Sequence, residues 1–184
     1  MGLFTKTKQR ITISSEAQDA LEAVASGIRA RKLKGTKVSD VSRGDGEWQC
    51  SIGCKQAEAL YYQEVLPLLR GSADAQSWNI ALEFADESQL AARCPQEVLV
   101  SFALESGRAY GNEAENNLIQ QLHADAQSVS GAPAAVAYYI ISDHAVTMCV
   151  PCADPEAMEQ AIKSKLSALG IRKFMIKTIS RVRA

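Results

Sequence analysis

The chain has 184 residues, 47% of them apolar and 22% charged, a globular composition of one domain or two small ones. No run approaches the roughly 18–20 apolar residues of a membrane helix. The opening MGLFTKTKQR lacks the apolar stretch of a secretory signal, and Lys6 stands where a myristoylation start at Gly2 wants Ser or Thr, so a cytoplasmic protein with five reduced cysteines is expected.

The net charge of −1 conceals a segregation. Residues 1–43 carry nine Lys/Arg against four Asp/Glu, a net of +5; residues 44–161 carry four against seventeen, a net of −13. Residues 162–184 carry seven basic side chains and no acidic one. Such asymmetry marks either a face for an anionic partner or basic ends that meet the acidic middle in the fold or in an oligomer.

The first predicted element is a strand from Arg10 to Ser14, with Ile11 and Ile13 on one face. Ser15 and Gln18 have the spacing of a capping box, and Ala17, Leu21, Val24 and Ile28 recur at helical spacing. Gly35 stops that helix, whose negative C-terminal pole suits Arg29, Arg31, Lys32 and Lys34. A hairpin follows, Lys37 to Ser42 and Glu47 to Gly53, turning at Gly44-Asp45-Gly46, because Asp-Gly supplies the positive φ angles of a tight turn. The second helix is predicted from Gln56 to Leu69, kinked or shortened by Pro67. Trp78, Ile80, Leu82 and Phe84 then alternate in a strand from Ser77 to Ala85.

The segment Asp86 to Pro95 joins the halves, with room for a helical turn. A strand from Glu97 to Glu105 leads into a helix from Asn112 to Gln127, with Leu118, Ile119, Leu122 and Ala126 on one side. Pro133 to Ser142 and Ala145 to Pro151 form a hairpin around Asp143-His144. Asp154 caps a helix with Pro155 at its first position; Met158, Ala161, Ile162, Leu166 and Leu169 make its buried stripe, and Gly170 ends it. The last strand runs from Ile171 to Val182.

The pattern is written twice. Cys54-Lys-Gln-Ala-Glu-Ala-Leu60 aligns with Cys152-Ala-Asp-Pro-Glu-Ala-Met158, each after a strand and before a helix that a glycine closes, Gly71 and Gly170. The order β-α-β-β-α-β is that of the ferredoxin-like split βαβ unit. The expected class is α+β: tandem ferredoxin-like repeats over 1–86 and 96–184 with a linker at 87–95, each an antiparallel sheet backed by two helices. The open sheet faces would be covered by the sister repeat, a second subunit or a ligand, and the halves are expected to pack together.

The cysteines follow strand parity. Cys50, Cys54 and Cys152 share a face with Trp48, Ile52 and Val150, the place of small buried hydrophobes. Cys149 falls on the opposite face, and Cys94 lies in the linker with no evident partner. Zinc at Cys149-Val-Pro-Cys152 with Cys50 and Cys54, or redox chemistry there, is the weaker reading. His123 reads as a boundary residue on a helix and His144 as a solvated turn residue, neither beside a visible nucleophile. Glu58 and Glu156 occupy equivalent first turns, where acids meet the positive helix pole. No phosphate-binding loop, nucleophile elbow or zinc-protease motif occurs. No catalytic residue, metal or cofactor is expected.

Lys173, Lys177, Arg181 and Arg183 share a face of the last strand with Met175 and Ile179 and are the candidate nucleic-acid contacts. The open-face positions of the third strands, Gln49, Ser51, Gly53, Thr147, Cys149 and Pro151, provide no stacking aromatic. The sequence therefore points to a non-catalytic binding or adaptor protein with a protein partner or self-association and no membrane. RNA binding or a nuclease using the basic strand is the first rival; a small-molecule-binding domain or enzyme is the second.

Overall fold

A computed structural model of the chain describes residues 9–71, 77–84, 94, 96–130 and 138–180. Its contacts divide the chain into two units, Met1–Phe84 and Ala85–Ala184.

In the first unit the alternation at Ile11 and Ile13 builds the central strand β1 (Gln9–Ser15), and both isoleucines are fully buried. β4 (Glu47–Cys54) runs antiparallel on one side, with Gln9 opposite Cys54 and Ile13 opposite Cys50. β5 (Asn79–Glu83) runs antiparallel on the other. The outer strand is broken in two: β2 (Lys37–Val38) and β3 (Ser42–Gly44) both pair with β4. Ser39 makes the break, its Oγ accepting from the Ser51 amide at 2.9 Å while its own amide donates to the Ser51 carbonyl at 2.8 Å. Asp45 at φ +50° and Gly46 at φ +91° form the turn, as Asp-Gly requires. The order within this unit is β5-β1-β4-β2, antiparallel throughout.

The first helix, α1 (Gln18–Ala30), buries Leu21, Val24, Ala25 and Ile28. The expected capping box is absent. β1 extends through Ser15, whose hydroxyl accepts from the Ala17 amide at 3.2 Å, while Gln18 bonds Glu22 instead. Ala17 holds the cap position with no side-chain cap. The second helical stretch follows the expected span from Gln56 to Leu69 closely, and the irregularity expected from Pro67 lies in the turn before it. It runs as α2 (Ala57–Leu60), a π-helical turn (Tyr61–Val65) and α3 (Leu66–Gly71). A proline lacks the amide for the carbonyl four residues back and crowds it; for Pro67 that residue is Gln63. Widening the Tyr61–Val65 turn to the π pattern absorbs the mismatch, so the helix passes through the proline.

In the second unit β6 (Gln96–Ala103) is central, flanked antiparallel by β8 (Ala145–Cys152) and β9 (Phe174–Ser180), and β7 (Tyr138–Ile141) pairs with β8. The order is β7-β8-β6-β9. Val98, Val100, Tyr139, Ile141, Val146 and Met148 are buried on one face, against α4 (Glu113–Ser130) and α5 (Pro155–Ala168). Asp154 caps α5 as its sequence requires, accepting from the Ala157 amide at 3.1 Å with Pro155 behind it. Gly170 at φ +78° closes the helix, and the Ile171 amide returns to the Leu166 carbonyl at 2.9 Å. Lys165 meets Asp125 at 3.5 Å between α5 and α4. The chain is thus α+β with antiparallel pairing. Residues 86–93, 95, 133–137 and Val182, which carry the linker, the start of the predicted 133–142 strand and the end of the last, lie outside the described residues.

Candidate functional site

The most unusual local chemistry lies where β6 turns into α4. The Leu104 amide donates to the His144 carbonyl at 2.7 Å, and the Tyr110 amide to the Asp143 carbonyl at 2.9 Å, so the connection is anchored to the β7–β8 turn at both ends. Tyr110 at φ +60° and Gly111 at φ +75° are both left-handed, a conformation a tyrosine adopts at a cost. Tyr110 is nevertheless buried, 3% exposed.

Asn112 then begins the helix. Its Oδ1 accepts from the Glu115 amide and Glu115 Oε2 accepts from the Asn112 amide, both at 2.9 Å, a reciprocal capping box. Glu115 also reaches back across the loop. Oε1 accepts from the Ser106 amide at 2.9 Å, and Oε2 takes a short hydrogen bond from the Ser106 hydroxyl. Burial pushes the Glu115 pKa up, but the bonds from the Ser106 hydroxyl and the Asn112, Ser106 and Glu105 amides outweigh it and hold it below the usual value.

Asn116 stands one residue further along, 6% exposed, and its buried Oδ1 has no hydrogen-bond partner among the described residues. That oxygen lies 3.0 Å from the point where a side chain on Gly111 would place its Cβ, and Glu115 is 3.3 Å from the same point. Any larger residue at 111 would crowd both and be strained at its φ. The first-turn amides of Glu113 and Ala114 belong to the set that no helical carbonyl can reach. One helix end therefore gathers a buried acceptor, a carboxylate and outward amides.

Sequence reasoning passed over this site. Asn112-x-x-Glu115 has the capping-box spacing with asparagine in place of Ser or Thr, and the preceding glycine marks a left-handed residue; together they would have drawn attention to the loop. The orphaned Asn116 oxygen has no sequence signal.

The residues singled out by sequence are placed differently. Cys50, Cys54 and Cys152 are buried on the helix-facing side, and all five cysteines are free thiols. Burial pushes the Cys50 thiol up to about 11, offset in part by Arg29. Burial likewise raises Cys54, though the Gln56 amide hydrogen bond opposes it. Cys152 is raised first by burial and then by Cys94, Asp154, Glu159 and Glu97, so Cys94, itself buried, is a neighbour the sequence did not reveal. Cys149 lies on the opposite face but is fully buried, donating to Glu97 Oε2 at 3.2 Å with Leu99 and Tyr138 packed against it. No group of three or more metal-ligating side chains occurs among the described residues. His123 is a core residue, 5% exposed, its ring edge-on to Tyr139 at 5.7 Å, rather than a boundary one. His144 is exposed in its turn.

Of the basic quartet, Lys177 is exposed on the sheet face away from the helices, opposite Leu99. Lys173 precedes β9 and meets Glu105 at 3.9 Å. Arg181 and Arg183 lie outside the described residues.

No protein-family model and no curated protein matches the chain. Among solved structures, a protein provisionally named a glycine cleavage system transcriptional repressor is similar at 12% identity, over 95% of this chain and 98% of that one, with a TM-score of 0.35. An aspartate kinase of Clostridium acetobutylicum is similar at 12% identity over 89% of this chain and 33% of the kinase, TM-score 0.27. The ligand-free regulatory subunit of aspartate kinase from Thermus thermophilus is similar at 14% identity over 87% and 92% of the two chains, TM-score 0.25.

Proposed function

We propose that this chain is a non-catalytic binding protein, built from two ferredoxin-like repeats over 1–86 and 96–184, whose second repeat takes a small polar ligand at the start of α4. The carrying observation is Asn116 Oδ1, buried, without a hydrogen-bond partner among the described residues, and held beside Gly111 at a helix N-terminus. A buried acceptor left unsatisfied costs about 1–3 kcal/mol. A ligand N–H or O–H would recover that cost, and an anionic or carbonyl group on the same ligand would meet the outward amides of the first turn. Glu115 is already committed to Ser106 and Asn112, so it shapes the loop rather than acting as a proton-transfer group. The absence of a nucleophile–base pair in this loop makes binding, not turnover, the fitting role.

Calorimetric titration with a panel of small amines, hydroxy acids and amino acids tests the reading. At least one should bind, and Asn116→Leu, which fills the volume but removes the acceptor, should weaken it at least tenfold. Gly111→Ala should do the same by closing the approach. A panel without binders, or a binder indifferent to both substitutions, refutes it.

A further inference from the structure

We infer that strand β9 is a self-association edge at which two copies of this chain join their sheets antiparallel, with Ile176 of one copy opposite Ile176 of the other. This inference is independent of the ligand site.

Among the described residues β9 is the terminal strand of its unit's order, bonded to β6 on one side only. All of its residues from Phe174 to Ser180 are in register with β6, from Phe102 to Gln96, without interruption. It contains no proline, glycine or bulge, the devices that blunt an exposed edge. The outer strand of the first unit is blunted, for it is divided into two residues of β2 and three of β3 by the Ser39 break. A straight strand with one edge unpaired presents a row of amides and carbonyls to any strand that matches its side chains.

The side chains select the occupant. Pairing with β6 sets Met175, Lys177 and Ile179 on the face away from the helices, opposite Ser101, Leu99 and Glu97. Phe174, Ile176 and Thr178 are on the helix side, where Thr178 donates to Glu159 at 2.8 Å. A twofold axis perpendicular to the sheet keeps each face on its own side and allows only pairings of like parity. Centring on Met175 would set Lys173 against Lys177, and centring on Lys177 would set that lysine against itself; like charges directly opposite are destabilising. Centring on Ile176 sets Lys177 against Met175 and Lys173 against Ile179, twice over by symmetry, with the two Ile176 side chains facing each other. Each lysine stem then lies along an apolar neighbour with its ammonium in water. It also covers Met175, which at 65% exposure is one of only two large hydrophobic side chains that stand exposed among the described residues, the other being Ile140. A strand so matched to its own inverted copy fits a second molecule of this chain better than an acidic peptide, which would leave Met175 and Ile179 opposite charge.

One seam of this length is a small interface, so the dimer should form reversibly in the micromolar range. Sedimentation at about 1–200 µM, with circular dichroism to verify folding, should show it. The chosen register makes opposite demands of two substitutions at one exposed position. Met175→Glu faces Lys177 of the second copy and should tighten the dimer roughly three- to tenfold at low salt. Met175→Lys should loosen it by at least as much, and about 1 M salt should shrink both effects. Backbone amides within 174–180 should exchange more slowly as concentration rises. Monomer throughout, loosening by both substitutions, or a dimer without concentration-dependent protection in β9 would each overturn the inference. So would a monomer that binds single-stranded RNA and loses it on Lys177→Glu, which would return the strand to nucleic acid.

Discussion

Glu115 shows how far one side chain can be read from its partners. Its folded pKa is lowered, so it contributes stability that is complete above the ordinary glutamate value near 4.3 and is lost as pH falls through the folded value. Glu115→Gln should therefore destabilise the chain at pH 7, by about 0.5–2 kcal/mol if the capping box carries the effect, and the difference from wild type should shrink by pH 3. Urea unfolding at the two pH values measures it, and an equal gap at both would mean that the carboxylate bonds are not as described. The thiols give a second residue-scale expectation. Cys50, Cys54 and Cys152 are buried with raised pKa values, and the thiolate is the reactive form. Iodoacetamide at pH 8 should leave all three unlabelled in the folded protein and modify them in urea; rapid native labelling of Cys152, detected by peptide mass, would contradict the placement. Strand parity made these positions legible. It could not show that Cys149, on the other face, is also buried, because parity gives the face and not what covers it, here Glu97, Leu99 and Tyr138.

At the level of elements, local chemistry was legible where one residue type has one outcome. Asp154-Pro155 caps α5 as read, and Asp45-Gly46 turns the hairpin. It failed where a neighbour decides: β1 runs on through Ser15 and removes its capping box. Pro67 disturbs its helix as read, though the form of the disturbance, a π turn just before it, was not legible. The two units differ at one further point. In the first, Gln9 lies opposite Cys54, and Gln9 Oε1 accepts from the Ala57 amide at 2.7 Å. In the second, Gln96 lies opposite Cys152, but the corresponding helix-starting residue is Pro155, which has no amide, and Gln96 Oε1 is buried without a hydrogen-bond partner among the described residues. Proline pre-sets the helix start by about 0.4–1 kcal/mol, whereas the orphaned acceptor costs about 1–3 kcal/mol. The second term is larger, so Pro155→Ala should stabilise the chain, by about 0.5–2 kcal/mol, with a matching rise in urea midpoint. A loss of stability would show that Gln96 has another outlet for its carbonyl.

On the scale of the whole molecule, the α+β class and the antiparallel pairing were legible because hydrophobic alternation and helical spacing recur over long segments. The charge layout was legible too; at the basic end of the chain Lys173 lies beside Glu105 and Lys177 stands exposed, while Arg181 and Arg183 lie outside the described residues. The ligand site was not legible, because it depends on backbone angles at Tyr110 and Gly111 and on one oxygen that finds no partner. The reading of this chain as a binding protein therefore stands on the start of α4. Amide chemical shifts recorded while the tightest member of the small-molecule panel is added test that most directly. The expected result is saturable movement concentrated in Ser106 to Asn116 and the adjoining Asp143–His144 turn, absent in Asn116→Leu. Movement confined to other segments, or none with any member of the panel, would contradict it.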